Sequence, residues 1–181
     1  MKITETPLPG LLIIEPKVFA DSRGYFYESF KLALLEEAAE REISFVQDNQ
    51  SKSAKNVLRG LHFQEPPYAQ GKLVSVAKGE VLDIAVDIRL DSPTYGQHFS
   101  ITLSDNNHLS LWVPEGFAHG FITKLDDTIF TYKCTNYYHK DSENSIIWND
   151  EDLKIDWNCI SPLVSEKDEM AQRFSTFASQ F

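Results

Sequence analysis

The clearest pattern in the chain is a strict alternation of residue types from Val81 to Arg89. The apolar positions that share one face are Leu82, Ile84, Val86 and Ile88. The positions on the other face are Asp83, Ala85, Asp87 and Arg89. A period of two residues predicts a β-strand, because successive side chains of a strand point to opposite faces of the sheet.

Similar alternation recurs at residues 99–104 and 108–113, and turn-forming residues separate these segments. The turns are predicted at Lys78-Gly79-Glu80, Asp91-Ser92-Pro93, Asp105-Asn106-Asn107 and Pro114-Glu115-Gly116. Many short strands separated by such turns are typical of an antiparallel sandwich or barrel. We therefore predict an all-β fold with a few short peripheral helices. No repeat or linker interrupts the pattern, which predicts a single domain over residues 1–181.

The two ends of the chain carry the remaining predicted elements. Residues 7–18 are predicted to form two short strands interrupted at Pro9-Gly10, and the aromatic segment 25–30 is predicted to form another. Residues 31–42 contain strong helix formers with apolar residues near helical spacing, which predicts a short surface helix. The tail over residues 165–181 is also predicted to be helical.

Composition and charge narrow the class of protein. The chain has 181 residues, of which 42% are hydrophobic and 24% charged, as in an ordinary globular protein. Its net charge of −10 argues against nucleic acids and anionic membranes as partners, because both attract a basic face. The two cysteines, Cys134 and Cys159, predict free thiols in a reducing cytoplasm. We also expect no signal peptide and no membrane span, since no apolar run approaches about 18 residues.

The segment Leu58–Gln64, together with Lys72, concentrates side chains suited to chemistry. A cation or a titrating imidazole is costly among apolar residues unless it has a partner or a function. For His62 alone, a buried structural histidine is the alternative interpretation. Strict alternation would place Arg59 and His62 on opposite faces of the strand. A shared site therefore requires a bulge near Gly60.

A second histidine ends the segment Pro114–His119, which has the P-x-G-x-x-H form of the second cupin motif. Metal-binding cupins carry H-x-H and then a glutamate in their first motif, whereas this chain has His62-Phe63-Gln64 there, followed by Lys72. A metal site needs three or four N, O or S ligands. The pattern supplies only three candidates, namely His62, His119 and Glu115. We therefore predict that the chain binds no metal.

Tyr132 and Asp168 each have a structural alternative to a catalytic role. Tyr132 lies in the alternating segment 128–134, and a lone tyrosine in such a strand is usually a core residue with a partner for its hydroxyl. Ser165 and Asp168 resemble a capping box that opens a helix. The scattered cations Arg23, Arg59, Lys72 and Lys167 would form an anion site only if the fold brings them together.

Eight ordered segments are more specific than any single motif. They are Asp21–Glu28, Phe45–Asn49, Val57–Gln64, Gln70–Val74, Pro114–Phe121, Tyr132–Thr135, Ile147–Asp150 and Leu163–Asp168. Together they resemble the dTDP-4-dehydrorhamnose 3,5-epimerase family over residues 2–168. The resemblance implies a cupin-like β-jelly roll that forms a homodimer and acts, without metal or cofactor, on a dTDP-linked 4-keto-6-deoxyhexose. Family members often have histidine and tyrosine where this chain has Gln50 and Phe63, and neither position is expected to carry proton chemistry.

The resemblance also implies roles for individual residues. The predicted catalytic residues are His62 as the base, Asp168 as its partner, Tyr132 as the acid and Lys72 beside the sugar oxygen that becomes an enolate. The substrate site is predicted to include Gln47, Asp48, Asn49, Arg59, Lys72, His119 and Glu143, with Tyr138 stacked on thymine and Lys167 near the nucleotide. Arg23 and Glu28 are predicted to reach the site of a partner subunit from an N-terminal dimerisation region, residues 1–30.

These residue types suit an epimerisation. Carbons 3 and 5 flank the 4-keto group, so the carbanion at either carbon is delocalised onto that oxygen, where a nearby cation stabilises it. A histidine titrates near neutrality and suits proton abstraction, and a carboxylate on its other ring nitrogen fixes the tautomer. Three alternatives remain open: an epimerase that inverts only one carbon, a noncatalytic sugar-nucleotide-binding cupin, and a metal-dependent cupin enzyme.

Overall fold

Thirteen β-strands, two α-helices and two short 3-10 helices make up the regular structure of the chain, which a computed structural model describes over residues 1–181. The strands, numbered β1 to β13 in chain order, are Lys2–Glu5, Leu12–Glu15, Val18–Asp21, Gly24–Tyr27, Gln47–Ser53, Leu58–Gln64, Lys72–Lys78, Glu80–Asp87, His98–Ser104, Ser110–Val113, Phe117–Thr123, Thr128–Cys134 and Glu143–Ser145. The helices are α1 (Leu32–Ala39) and α2 (Glu166–Glu169), and the 3-10 helices are Lys140–Ser142 and Phe174–Thr176. The predicted all-β fold with short peripheral helices is confirmed.

Two antiparallel sheets pack face to face as a jelly-roll sandwich. The six-stranded sheet has the order β1-β2-β10-β7-β12-β5, and the five-stranded sheet has the order β13-β6-β11-β8-β9. Strands β3 and β4 form a separate two-stranded sheet. The space between the two large sheets is filled by an apolar cluster that includes Val74 and Phe130 from one sheet and Ala85 and Phe121 from the other. This interior layer sets the walls of any cleft between the sheets.

The outer face of the five-stranded sheet is also buried, because the C-terminal segment folds over it. Ile84 and Val86 of β8 pack there in a cluster with Trp157 and Phe177. The predicted alternation in residues 81–89 is therefore present, but both faces of β8 lie in apolar layers. A strand buried on both sides can carry a charged residue only where that residue has a specific partner.

Helix α1 covers the outer face of the six-stranded sheet. Its buried residue Leu35 packs in a cluster with Leu73 and Trp112. The predicted helix over residues 31–42 is thus present but shorter. It ends because Glu40 adopts a left-handed conformation with φ of 53°, which stops the helical hydrogen-bond pattern.

The N-terminal strands differ from the prediction. The first strand is Lys2–Glu5, before residue 7, and Pro9-Gly10 lies in the connection that leads to β2. The strand predicted over residues 25–30 ends at Tyr27. Its antiparallel partner β3 begins at Val18, and Val18 pairs with Tyr27. Residues 28–30 therefore have no strand residues opposite them in this hairpin.

The predicted helical tail over residues 165–181 is wrong for most of its length. Only Glu166–Glu169 is α-helical, with one further short 3-10 helix. The remainder follows an irregular path because Phe177 is buried on the five-stranded sheet and Phe174 and Phe181 pack beside it. The two α-helices, of eight and four residues, are too short to span a membrane.

Candidate active site

A β-bulge in β6 brings Arg59 and His62 to the same cleft. On the neighbouring strand β11, His119 pairs with His62 and Phe121 pairs with Arg59. Three steps along β6 therefore match two steps along β11, which is the count that defines a bulge. The bulge predicted near Gly60 is confirmed, and it resolves the conflict that strict alternation would create.

Two glycines allow the strands to approach closely at this bulge. Gly60 has a φ of +136°, and a Cβ atom built there would lie 2.5 Å from the Cα of Gly120. A Cβ built on Gly120 would in turn lie 2.9 Å from the carbonyl oxygen of Arg59. Larger side chains at either position would push the two strands apart, so this geometry requires glycine.

The bulged strand borders a cleft with an inner and an outer part, each of about 170 Å³. Both parts are lined by His62, Lys72 and Tyr132. The inner part is completed by Ser51, Arg59, His119, Phe121 and Phe130. The outer part is completed by Gln47, Asn49, Phe63, Gln64, Gln70, Tyr138 and Glu143. Three of the four predicted catalytic residues thus lie where the two parts meet.

His62 is paired with Asp168, the fourth predicted catalytic residue. The Nε2 atom of His62 lies 2.5 Å from Oδ1 of Asp168, and the carboxylate is 4% exposed. Burial opposes ionisation of Asp168, but its hydrogen bond with His62 and the charge of the imidazolium outweigh burial and hold the pKa of this carboxyl below its usual range. An ionised carboxylate accepts hydrogen bonds, so Nε2 carries the hydrogen. Nδ1 is left as the basic nitrogen of His62.

The start of α2 holds Asp168 in place. The backbone N–H of Asp168 donates to the Ser165 hydroxyl over 3.2 Å, which makes Ser165 the N-cap of this short helix. The capping interpretation is therefore correct for the backbone. The side chain of Asp168 also reaches the bulged strand: its Oδ2 atom accepts a hydrogen bond of 3.5 Å from the backbone N–H of Gly60. Asp168 thus links the helix to the bulged strand.

Lys72 and Tyr132 come from the opposite sheet. The Nζ atom of Lys72 donates to the carbonyl oxygen of His62 over 3.3 Å. Burial lowers the pKa of Lys72, although the neighbouring acidic groups favour its charged form. Burial raises the pKa of Tyr132, and its phenol therefore stays protonated at neutral pH and can act as a proton donor. The Lys72 amino group and a phenolic acid thus face the imidazole across one cleft.

The sequence did not reveal that His119 has a carboxylate partner of its own. Its Nε2 atom lies 3.0 Å from both oxygens of Asp83, which is fully buried in β8. The available signal was a charged residue between two apolar neighbours, Leu82 and Ile84, in a predicted strand. Because the two residues lie 36 positions apart, their proximity could be deduced only from the register between β8 and β11.

Two hydroxyl groups on β5 have different environments, and the first of them, on Ser53, bonds an arginine of the inner cleft. The side chain of Arg59 donates from Nε and a terminal nitrogen to the Ser53 hydroxyl over 3.4 and 3.3 Å. The buried hydroxyl of Ser51 has no hydrogen-bond partner within the chain. Ser51 is therefore free to bond a polar group of a bound molecule.

The outer rim of the cleft combines three of the predicted substrate-binding residues. Glu143 accepts a hydrogen bond of 2.9 Å from the Tyr138 hydroxyl and forms an ion pair of 2.5 Å with Lys167. Burial opposes ionisation of Glu143, but its bonds to Lys167 and Tyr138 outweigh it and lower its pKa. The aromatic ring of Tyr138 is left exposed beside the opening.

The structure does not bring Asp48 into the cleft. Strand β5 alternates, so Gln47 and Asn49 face the cleft while Asp48 faces outward. Its side chain is 68% exposed and forms an ion pair of 3.0 Å with Lys133. The Asp48 side chain therefore does not line the cleft of its own chain. Asp48 lines a separate groove of about 370 Å³ on the outside of the six-stranded sheet.

Arg23 and Glu28 also lie away from the cleft of their own chain. Arg23 is on the β3–β4 hairpin, where its side chain is 88% exposed and pairs with Asp21. Glu28 pairs with Lys31 over 2.7 Å. Neither residue lines the inner or the outer part of the cleft.

The three groups considered as metal ligands are separated. His62 and His119 each bond a different carboxylate, and Glu115 accepts from Thr135 and pairs with Arg41. No group of three or more His, Cys, Asp or Glu side chains in the chain is arranged to hold a metal ion.

The arrangement can move protons on either side of a bound molecule. A basic imidazole oriented by a carboxylate lies on one wall, and a protonated phenol lies on the other. The Lys72 amino group lines the same cleft and, when protonated, can stabilise a negative oxygen that develops during the reaction. This combination suits proton abstraction next to a carbonyl group, followed by proton return.

Comparison with known proteins gives consistent results. The family model described as dTDP-4-dehydrorhamnose 3,5-epimerase matches residues 5–176. The protein of that name from Salmonella typhimurium is 55% identical over 172 residues, or 94% of each chain. A crystal structure of the Legionella pneumophila dTDP-6-deoxy-D-glucose-3,5-epimerase, in complex with dTDP-4-keto-L-rhamnose, has a TM-score of 0.93 and 49% identity, covering 98% of this chain and 94% of that one. The structure of ChmJ, a 3'-monoepimerase from Streptomyces bikiniensis, has a TM-score of 0.89 and 30% identity, covering 94% and 87%.

Proposed function

The chain belongs to the dTDP-4-dehydrorhamnose 3,5-epimerase family, and we propose that it converts dTDP-4-dehydro-6-deoxy-D-glucose to dTDP-4-dehydro-L-rhamnose by inverting C3 and C5. It is an isomerase of dTDP-L-rhamnose biosynthesis. The observation that carries the proposal is that His62, backed by a buried carboxylate, shares both parts of one cleft with Lys72 and Tyr132. Identity to relatives named as 3,5-epimerases is near 50%, which favours this reaction over inversion of a single carbon.

In the first half of the reaction, Nδ1 of His62 takes the proton from C3 or C5. The electron pair of the broken C–H bond moves into the bond to C4, and the 4-keto oxygen becomes an enolate oxygen. The Lys72 ammonium group donates a hydrogen bond to this oxygen and stabilises its charge. The buried carboxylate of Asp168 stabilises the imidazolium that forms.

In the second half, Tyr132 returns a proton to the opposite face of the same carbon. The enolate collapses to the ketone, and the configuration at that carbon is inverted. The phenolate of Tyr132 then regains a proton from solvent, and His62 releases its proton to solvent. The same two groups act on both carbons after the sugar ring shifts in the cleft.

The outer part of the cleft receives the nucleotide. Tyr138 stacks on the thymine base, for which its exposed ring beside the opening is suited. Lys167 supplies positive charge near the diphosphate in a protein whose net charge is −10, and Arg59 lines the inner part of the cleft. Gln47 and Asn49 present amide groups on the wall between the base and the sugar.

The active form is a homodimer in which residues 1–30 contact the partner subunit. The β3–β4 hairpin exposes apolar side chains that a partner surface would cover: Phe19 is 52% exposed, Tyr25 60% and Phe26 66%. Arg23 and Glu28 on and beside this hairpin act in the partner's cleft rather than their own. The chain folds as one domain, and its unpaired cysteines, Cys134 and Cys159, fit a reducing cytoplasm.

Mixed dimers test the shared site. We expect Arg23→Ala and His62→Ala to be weakly active or inactive alone, and we expect activity to return when the two variants are mixed and allowed to exchange subunits. In the mixed dimer, the protomer that lacks Arg23 keeps His62 and receives Arg23 from its partner, which restores one complete site. If Arg23 acted in its own cleft, no site in the mixed dimer would be complete and mixing would restore nothing.

The activity itself is tested with purified protein and dTDP-4-dehydro-6-deoxy-D-glucose. Proton NMR coupling constants of the sugar distinguish inversion at both carbons from inversion at C3 or C5 alone. The L-rhamno configuration is expected. Unchanged substrate would refute catalysis and would favour a binding protein of the same fold.

A further inference from the structure

The segment Asn136–His139 carries Tyr138 but belongs to no strand or helix. Its backbone is held instead by three glutamine side chains. The N–H of Tyr138 donates to Gln47 over 3.0 Å, and the amide of Gln70 donates to the carbonyl oxygen of Asn136 over 2.7 Å. The third glutamine, Gln64, bonds the two remaining residues of the segment. We call Asn136–His139 the rim segment.

Gln64 makes more of these contacts than either of the others. Its Oε1 atom accepts from the N–H of His139 over 2.7 Å, and its Nε2 atom donates to the carbonyl oxygen of Tyr137 over 3.2 Å. Nε2 also donates over 2.6 Å to the carbonyl oxygen of Tyr68, in the loop on the other side of the rim. The residue is 4% exposed, so every polar atom of its amide is buried and bonded. Such a buried, fully bonded amide fixes the groups around it.

A stacked ring pair reinforces this connection. The Tyr68 and His139 rings lie 3.8 Å apart with an angle of 8° between their planes. Gln64 and the ring pair therefore join the loop that contains Tyr68 to the rim segment. Gln64 itself lies two residues beyond His62, on the strand that carries the base.

We propose that Gln64 and Gln70 are positioning residues that hold the rim segment in the geometry that binds the nucleotide. This inference rests on the proposed function, in which Tyr138 contacts the base. The ring of Tyr138 is 54% exposed, and its hydroxyl bond to Glu143 is the only hydrogen bond its side chain makes. A fixed backbone places this ring before the ligand arrives, which lowers the entropic cost of binding.

The position of these glutamines predicts which kinetic constant changes. Both bond the rim segment, and neither forms a hydrogen bond with His62, Lys72 or Tyr132. Loss of their bonds should therefore raise the Kd of dTDP and the KM of the nucleotide sugar, while kcat changes little.

The variant Gln64→Glu tests the proposal through pH. When ionised, the new carboxylate has no hydrogen to donate and faces the carbonyl oxygens of Tyr68 and Tyr137. When protonated, it regains one donor, and burial keeps its pKa above the usual carboxyl range. We measure the Kd of dTDP by calorimetry and expect the variant value at pH 8 to be about tenfold or more above the wild-type value. The ratio of the variant Kd to the wild-type Kd should fall as the pH is lowered toward 6. We expect kcat at pH 8 to stay within about threefold of wild type.

Two further variants complete the test. Gln97→Glu makes the same chemical change on an exposed side chain before β9 and should leave the Kd unchanged. If thermal unfolding shows that Gln64→Glu does not fold, Gln70→Ala becomes the variant that tests the proposal. We expect its Kd for dTDP to be about threefold above the wild-type value. A wild-type Kd for the folded Gln64→Glu or the Gln70→Ala protein, or a loss confined to kcat, would overturn the inference alone. Wild-type protein that binds no dTDP would overturn the proposed function and the inference together.

Discussion

His62→Ala is expected to lower kcat by about 10²- to 10⁴-fold while the sandwich still folds. The imidazole is the basic group oriented by Asp168 at the junction of the two parts of the cleft. Its side chain is 30% exposed, so its removal takes little apolar contact from the core. The rate is measured from the product formed under saturating substrate, and folding is measured by thermal unfolding.

The variant His62→Asn separates loss of the base from loss of the Asp168 partner. Alanine leaves Oδ1 of this carboxylate, which is 4% exposed, without its hydrogen-bond donor, and a buried charge that loses its charged partner destabilises the protein. The asparagine amide can donate to Asp168 but cannot accept a proton at neutral pH. We expect His62→Asn to be more stable than His62→Ala and equally inactive. Wild-type turnover by either variant would remove His62 from the role of base.

Tyr132→Phe is expected to reduce formation of the inverted product by about 10²-fold or more, while the substrate still exchanges hydrogen with solvent. The base and the cation stay in place, so the enolate forms. The proton donor on the other face is missing, so the enolate is reprotonated by the imidazolium on the original face. Deuterium incorporation and product configuration are followed together by NMR in deuterated water.

The matched control for this experiment is Tyr95→Phe. Tyr95 packs on Phe174 at 5.3 Å, away from the cleft, and its hydroxyl makes no hydrogen bond within the chain. Removing this hydroxyl should leave both exchange and inversion unchanged. Loss of exchange and inversion in equal measure in Tyr132→Phe would contradict the assignment of Tyr132 as the acid, because that result would place it in the first half of the reaction.

Local pattern was sufficient for much of the fold, because alternation and turn residues act within a few positions. The strand at residues 81–87 and the turns around it follow from such short-range rules, whereas the bulge near Gly60 was required only by placing Arg59 and His62 in one site. The path of the C-terminal tail did not follow from them. It is set by Phe177 and its aromatic neighbours packing on a sheet formed by distant residues, and their spacing has no helical or strand period that would reveal this.

In the candidate site, too, some features could be predicted from the sequence and others depend on contacts between distant residues. The cleft contains His62, Lys72 and Tyr132 as the resemblance predicted, and Asp168 lies behind the imidazole. The predicted substrate site included Asp48 together with Gln47 and Asn49, although alternation places the Asp48 side chain on the outer face of β5. The pairing of His119 with Asp83 depends on the register between two strands. Sequence spacing contains no direct record of that register.

The central claim is that one imidazole and one phenol exchange protons at both C3 and C5 through an enolate. Wild-type turnover of dTDP-4-dehydro-6-deoxy-D-glucose in deuterated water, followed by NMR, tests it most directly. We expect product with solvent deuterium at both carbons and inverted configuration at each. Inverted product that retains its original hydrogen at C3 and C5, or that carries deuterium at only one of them, would contradict the claim.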